Sequence, residues 1–346
     1  MSKHKPDYIL LAVIIALVLF GLIILTSVSA EKPYYIKHQI IYGILIGSAG
    51  FFTAYKVNYK ILQKLALPFL IVSLVLLGLV FIPKLGISYG GARRWVQISS
   101  VIFQPGEIVK LSFIIFLASL LSNKIKLAPF LIWSGLIALF FVFQPDIGTI
   151  GLIIMIAMIM YFTAGAKLWQ IGICFLSGTT ALLALIKLKT YRFNRLLAFL
   201  YPKLDPQGIS YQINQALIAL GSGGLFGLGW GYSEQRAFLP AVVTDSIFAV
   251  MGEELGFAGA LILVCLFLIL ALRGFKIAAK TDDQFARLLA VGITSWLVLQ
   301  AFVNIMAISG LIPLTGIPLP FVSYGSSAMI ICLTSAGILL NISKYA

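Results

Sequence analysis

The chain has 346 residues, 61% of them hydrophobic and only 10% charged, with a mean hydropathy of +1.05. Soluble globular chains carry about 25% charged residues, so a water-soluble globule is excluded and a membrane-embedded chain is indicated. The formal net charge is +14 with no Lys/Arg tract interleaved with aromatics, which argues against nucleic acid and for anionic headgroups or an anionic substrate.

The short basic start, Met1 to Pro6, leads into an apolar run over 8–29. That run outlasts a signal-peptide core and reads as a retained first span. Apolar runs follow at 39–54, 62–82, 108–121, 127–143, 147–162 and 168–186, then at 247–272, 285–308 and 321–340. Each span takes roughly 20 mainly apolar residues. The expectation is an all-α, polytopic integral membrane protein of about ten transmembrane helices in one domain, 1–346. An even number puts both termini on one side. We assign them to the cytoplasm, because basic residues in a long outer loop weigh little in orientation. Cys174, Cys265 and Cys332 sit far apart in apolar runs and read as inert packing thiols.

Residues 187–246 form the one long stretch without a span, an extracytoplasmic loop between the seventh and eighth. Loops of this length inside a compact domain are usually functional. Its 191–197 portion mixes cations with large apolar groups, as a helix lying in the membrane interface does. A second helix is predicted over 211–220. The glycine-rich 221–231 is not a dinucleotide fingerprint, since Phe226 stands where the third glycine belongs; it reads as backbone in close approach to a neighbour.

Ionisable groups at membrane depth cost several kcal/mol unless paired or hydrated, so each one asks for a reason. Arg94, between Arg93 and Trp95, serves either as a headgroup anchor or as a phosphate-binding fork. In Gln104-Pro105-Gly106-Glu107, Pro105 suits a first helical position and Glu107 complements the helix dipole. Lys110 shares its face, either as an ion pair fixing the helix start or as a cation beside an anionic ligand. Asp146, after Gln144-Pro145, is explained as a helix-start partner. Asp245 stands where the long loop re-enters the bilayer and suits an N-cap. Glu253 and Glu254 are adjacent carboxylates within a span and need burial partners. The two prolines in 316–325 demand irregular backbone, tolerable at this depth only where it lines protein or a wet cavity.

Together these motifs resemble the SEDS family (shape, elongation, division and sporulation proteins). The matching stretches include Arg94-Trp95, Gln104-Pro105-Gly106-Glu107 with Lys110, Gln144-Pro145-Asp146 and Leu204-Asp205-Pro206. Tyr211-Gln212, the glycines of 221–227, Gly252-Glu253-Glu254 and Pro318-Leu319-Pro320-Phe321-Val322-Ser323-Tyr324-Gly325 complete them. The order and spacing are kept over essentially the whole chain. Gly252-Glu253-Glu254 and Gly229-Trp230-Gly231-Tyr232-Ser233 resemble the division branch, FtsW, more than the elongation branch, RodA. Where the family has His-Thr-Asp-Phe, this chain has Val243-Thr244-Asp245-Ser246, so no role for that histidine carries over.

The resemblance implies ten spans, a cavity facing outward from the plasma membrane, and polymerisation of lipid II into glycan strands. It also implies partners: a class B penicillin-binding protein and other division proteins. A sugar already linked to pyrophosphate has a good leaving group, so the reaction needs a base for the acceptor hydroxyl and cations for the departing charge. Asp245 is the expected general base. Arg94, Lys110, Arg192 and Arg195 are the expected pyrophosphate partners, with Glu107 orienting Lys110 and Glu253, Glu254 and Ser323 in support. No residue set with metal-ligand spacing is readable, which leaves a divalent cation, Mg or Mn, as an open cofactor. The alternatives are an elongation polymerase of the RodA type, or a lipid II flippase, since broken helices and buried charges suit transport too.

Overall fold

The computed structural model describes residues 4–89, 92–99, 101–123, 125–187 and 190–346, without the side chains of 89, 181–187 and 190–192. Helix α1 (Tyr8–Val28) begins at Asp7, whose carboxylate accepts from Leu10 N at 3.0 Å. Next comes one continuous helical stretch: α2 (Tyr34–His38), a π-helical Gln39–Leu45, and α3 (Ile46–Lys56). The short α4 (Lys60–Lys64) leads to α5 (Ala66–Gly78). Then come α6 (Pro105–Asn123), α7 (Leu127–Phe143), α8 (Ile147–Thr163) and α9 (Leu168–Lys187). The long stretch between α9 and the last three helices holds α10 (Thr190–Leu200) and α11 (Tyr211–Ser222), the two helices predicted from its sequence. The chain closes with α12 (Ile247–Lys280), α13 (Gln284–Ile308) and α14 (Ser326–Ile342).

The fold class is as the sequence reads, and each apolar run falls on helix, except that 321–325 stays irregular ahead of α14. Among the described residues five helices are long and apolar enough to cross a membrane: Tyr8–Val28, Pro105–Asn123, Ile247–Lys280, Gln284–Ile308 and Ser326–Tyr345. Their burial separates centre from rim. The apolar windows of α6 and α13 are 78% buried, those of α1 and α12 only 39% and 28%. So α6 and α13 form the protein interior, against which α8, α12 and α14 pack, while α1 and α12 keep apolar faces outward for lipid.

One element is absent from the sequence expectation. Between α5 and α6 lies a small antiparallel sheet in the order β1 (Gly86–Tyr89), β2 (Ala92–Ile98), β3 (Val101–Phe103). Ala92 and Val96 point inward from β2, with Gly86 and Phe103 facing Val96 from either side. The strands are too short to show a clear alternation, but they place Arg94 and Trp95 on the central strand of a sheet rather than on a loose anchor.

Helix α12 is broken at Gly256, where φ is 66° and ψ −165°. A break inside a membrane frees backbone groups that must find partners. The glycine-rich loop supplies them: Leu228 and Gly229 N–H donate to the carbonyls of Glu253 and Glu254 at 2.9 and 3.0 Å. In return Phe257 and Ala258 N–H donate to Gly224 and Leu225 carbonyls at 2.9 and 3.0 Å. At Gly227, with φ 81°, a Cβ would lie 2.1 Å from the Glu254 carbonyl oxygen, so only glycine fits. The close approach read from the sequence is therefore made against α12.

The other end of the molecule is tied by short polar links. His4 N–H donates to Lys344 O at 2.8 Å, so the two chain ends meet. Asp7 also holds Arg273 at 2.6 Å. Tyr59, in the turn before α4, is buried beside Asp283, and both effects push its phenol up to about 12.

Candidate functional site

After α13 the chain runs without regular structure from Leu311 to Gly325 before α14 begins. Pro318 and Pro320 lack N–H groups and cannot continue a helix. Ile317, Leu319, Phe321 and Val322 are nonetheless buried, so the backbone here needs partners within the protein. Side chains of neighbouring helices provide them. Asn304 Nδ2 donates to Ile317 O at 2.8 Å and Gln300 Nε2 to Pro318 O at 2.9 Å. Leu319 N–H donates to Ser323 Oγ at 2.8 Å, and Gly325 N–H to Gln39 Oε1 at 3.1 Å.

Behind this segment lies Lys110. Its ammonium is 2.8 Å from Glu107 Oε1 and donates to Gln300 Oε1 at 2.8 Å, while Trp296 Nε1 donates to the same oxygen at 2.7 Å. Both members of the ion pair have side chains less than 5% exposed, 3% and 4%. The sequence suggests Lys110 as a direct phosphate partner, but the structure encloses it. A buried ammonium is stable only with its counter-charge and acceptors in place, and here those consume it. Lys110 thus fixes the amide of Gln300, which fixes Pro318.

In front of the segment, Asp245 precedes α12. The N-cap is Ser246, not Asp245, which leaves the Asp245 carboxylate free of that task. Thr244 Oγ1 donates to Asp245 Oδ1 at 2.7 Å, and Asn304 Nδ2 donates to the Asp245 backbone carbonyl at 2.9 Å. Ser323 Oγ donates to Thr244 O at 2.5 Å, and Tyr324 N–H to Val243 O at 2.8 Å. The position of the missing family histidine is thus held through its backbone.

Gly316, with φ 71°, is where the groups converge. A Cβ there would lie 3.6 and 3.7 Å from the Arg195 guanidinium nitrogens and 3.7 Å from Asp245 Oδ2. Arg195 Nη1 donates to Leu314 O at 2.9 Å, which brings the cation from α10 onto the segment. The start of α8 meets the same place, since a Cβ at Gly148 would lie 2.9 Å from Thr315 O. That helix start carries Asp146, which accepts from Thr149 N–H at 3.3 Å and also faces Arg94 Nε at 3.6 Å. Arg94 Nη2 donates to Pro145 O at 2.9 Å. Asp146, read from sequence as a helix-start partner alone, therefore also orients Arg94.

The structure brings Asp245 and Arg195 together at Gly316, sets Ser323 against the Thr244 backbone beside Asp245, and holds Arg94 on Asp146 at the start of the helix whose Gly148 meets Thr315. It carries Glu253 and Glu254 elsewhere. Glu253 accepts from Ser233 Oγ, and from the N–H groups of Glu234 and Gln235 at 3.2 and 3.3 Å. Glu254 accepts from Ser27 Oγ of α1, and Arg236 donates to Ser27 O at 2.8 Å. The paired acids brace the long loop before α12 against α1 and α12. The side chain of Arg192 lies outside the described residues. Gln300 and Asn304 are site residues that the sequence reading passes over. Their signal is present, two amides four apart on one face of an otherwise apolar helix. Among the described residues no three His, Cys, Asp or Glu side chains gather as a metal-holding group.

The family model described as "Cell cycle protein", covering FtsW, RodA and SpoVE, matches residues 7–346. A "Probable peptidoglycan glycosyltransferase FtsW" of Trichlorobacter lovleyi is 37% identical over 97% of this chain and 93% of its own length. "Stage V sporulation protein E" of Bacillus subtilis is also 37% identical, over 100% of this chain and 99% of its own. Among solved structures, one described as "Structural coordination of polymerization and crosslinking by a peptidoglycan synthase complex" superposes with a TM-score of 0.82. It is 26% identical and the match covers 98% of this chain and 97% of that one. Rod shape determining protein RodA of Thermus thermophilus superposes with a TM-score of 0.73 at 27% identity, covering 99% and 98%. The chain belongs to the FtsW/RodA/SpoVE family, the SEDS proteins that its motifs resemble, and is an integral membrane protein of that fold.

Proposed function

We propose that this chain is a peptidoglycan glycosyltransferase that polymerises lipid II into glycan strands on the outer face of the plasma membrane, for septal wall synthesis. The observation that carries the reading is the meeting of Asp245 and Arg195 over Gly316, which sets a carboxylate and a guanidinium within van der Waals reach of one backbone position. The acceptor sugar hydroxyl attacks the anomeric carbon of the donor as its proton passes to Asp245. The bond to the pyrophosphate breaks, and the electron pair leaves with the lipid pyrophosphate. Arg195 and Arg94 hold that departing charge, since a guanidinium donates two parallel hydrogen bonds to phosphate oxygens. Arg192, three positions before Arg195 on α10, is the third proposed cation. Lys110 and Glu107 act at one remove, by fixing Gln300 and the segment that carries Gly316. Ser323 fixes the Thr244 backbone beside the base, and Glu253 and Glu254 hold the loop above it. A divalent cation, Mg or Mn, remains open as a helper.

The branch is supported by the relatives named FtsW, at 35–38% identity over 96–99% of this chain. The equal likeness to the sporulation protein supports a second setting for the same chemistry, a sporulation septum. We further propose ten spans in a single domain, 1–346, with both termini cytoplasmic and 187–246 outside; the contact between His4 and Lys344 supports ends on one side. A class B penicillin-binding protein and other division proteins are the proposed partners. The likeness to a synthase complex described by polymerisation and crosslinking supports the first.

The test is polymerisation of lipid II by the purified protein in detergent, with its transpeptidase partner and Mg or Mn present. Asp245→Asn is expected to lower the rate by about 10² to 10⁴, the usual contribution of a general base. A folded Asp245→Asn protein that polymerises at the normal rate removes Asp245 from that role. A wild-type preparation that binds lipid II and never extends it removes the glycosyltransferase reading.

A further inference from the structure

A cleft of about 570 Å³ opens at the end of the molecule opposite Asp245. Helix α6 measures the separation. Glu107 lies in its first turn beside the site, Asn123 is its last residue and lines the cleft, and its 19 residues span about 28 Å. A hydrocarbon core is roughly 30 Å thick. The cleft therefore opens at headgroup level in the leaflet away from the site.

Its walls are of three kinds. Leu67 of α5 with Phe116 and Leu120 of α6 make an apolar floor, Gln63, Ser119 and Asn123 add neutral polar groups, and Lys64 and Lys126 stand at the rim. Both lysines are exposed. Among the described residues no Asp or Glu lines the cleft and neither lysine enters an ion pair. Two cations without counter-charge, above an apolar floor at headgroup depth, complement a molecule that carries a phosphate and an acyl chain together. A soluble phosphate would match the rim and leave the floor uncovered.

We propose that this cleft binds an anionic phospholipid of the leaflet opposite the site, with its phosphate between Lys64 and Lys126 and an acyl chain along Leu67 and Phe116. A lipid seated there joins α4 and α5 to α6 and to the start of α7. It braces the far end of the helix whose near end holds Glu107 and Lys110.

The test uses the full chain in detergent, titrated with phosphatidylglycerol and followed by native mass spectrometry to the first bound lipid. The double variant Lys64→Gln, Lys126→Gln is expected to weaken that first site about thirtyfold, roughly fivefold for each cation. Lys276→Gln with Lys280→Gln removes the same charge from the same membrane face and is expected to change it less than about twofold. Phosphatidylcholine is expected to bind at least about tenfold more weakly than phosphatidylglycerol. Equal weakening in both double variants, or equal binding of the two lipids, would overturn the proposal, because either means diffuse adsorption. Displacement of the lipid by glycerol phosphate would overturn it in favour of a soluble anion.

Discussion

Two stretches of this membrane protein lack regular structure at or near bilayer depth, and they are held in opposite ways. The glycine-rich 223–231 is bonded backbone to backbone with the broken α12, through Leu228 and Gly229 on one side and Phe257 and Ala258 on the other. The proline-bearing 311–325 is held by side chains reaching in from other helices, Gln300 and Asn304 from α13 and Gln39 from the π-helical turn. Backbone pairing spends the loop's own hydrogen-bonding groups on the brace and leaves few for a ligand. Side-chain support from behind leaves the front of Gly316 open to Arg195 and Asp245. The first arrangement stabilises a kink, and the second presents a surface.

The comparison breaks most severely at Gly227. An alanine there must adopt φ near 81° and place its Cβ 2.1 Å from a backbone carbonyl that has no room to move. The left-handed conformation alone costs about 1–2 kcal/mol, and relieving the clash by separating the loop from α12 forfeits ladder bonds of about 1 kcal/mol each. Gly227→Ala is expected to lose about 3–4 kcal/mol of stability. The checks are folded yield and a tryptophan-fluorescence melt in detergent. Because the loop acts as a brace, the fraction that remains folded is expected to keep its polymerisation rate within a few-fold.

Gln300→Leu probes the other stretch and should divide its effect differently. The substitution orphans Trp296 Nε1 and Pro318 O and removes one acceptor from Lys110. Unsatisfied buried groups cost about 1–3 kcal/mol each, less what local rearrangement recovers, so a loss near 2–3 kcal/mol is expected. Polymerisation is expected to fall by about tenfold to a hundredfold in the folded protein, because displacement of a supported residue by about 1 Å can cost that much. A melt that falls while the rate per folded molecule holds would mean that 311–325 is also only a brace.

How much of this contrast is legible in the sequence follows from how far each signal reaches. The helices are legible because apolar runs of span length have few other uses. So are the helix starts at Pro105 and Asp146 and the two amphipathic helices of the long loop. That 316–325 is irregular is written in Pro318 and Pro320. What stays hidden is pairing across long separations. Nothing near Lys110 reveals that Gln300 completes its enclosure, nor near Asp146 that Arg94 leans on it. Residues Glu253 and Glu254 are visible as a puzzle, but their partners are ordinary serines, Ser233 in the preceding loop and Ser27 on the distant α1. The sheet carrying Arg94 escapes because its strands are too short for a period to show.

The smallest expected effects discriminate best, because two serines offer a matched pair. Ser323 Oγ donates to Thr244 O and accepts from Leu319 N–H, tying the proline-bearing stretch to the peptide beside Asp245. Ser233 Oγ donates to Glu253 and accepts from Arg236 N–H at 3.1 Å, tying the long loop to α12. Each Ser→Ala change removes one buried hydroxyl with two partners, so both are expected to cost about 1–2 kcal/mol in the melt. Only Ser323→Ala moves the backbone that carries the proposed base. It is expected to lower kcat by about fivefold to tenfold, while Ser233→Ala stays within about twofold. Equal melts with unequal rates would place the chemistry on the side-chain-held stretch. Equal rates would mean that the tie between Ser323 and Thr244 does not position Asp245, and the contrast between the two stretches would then be one of architecture alone.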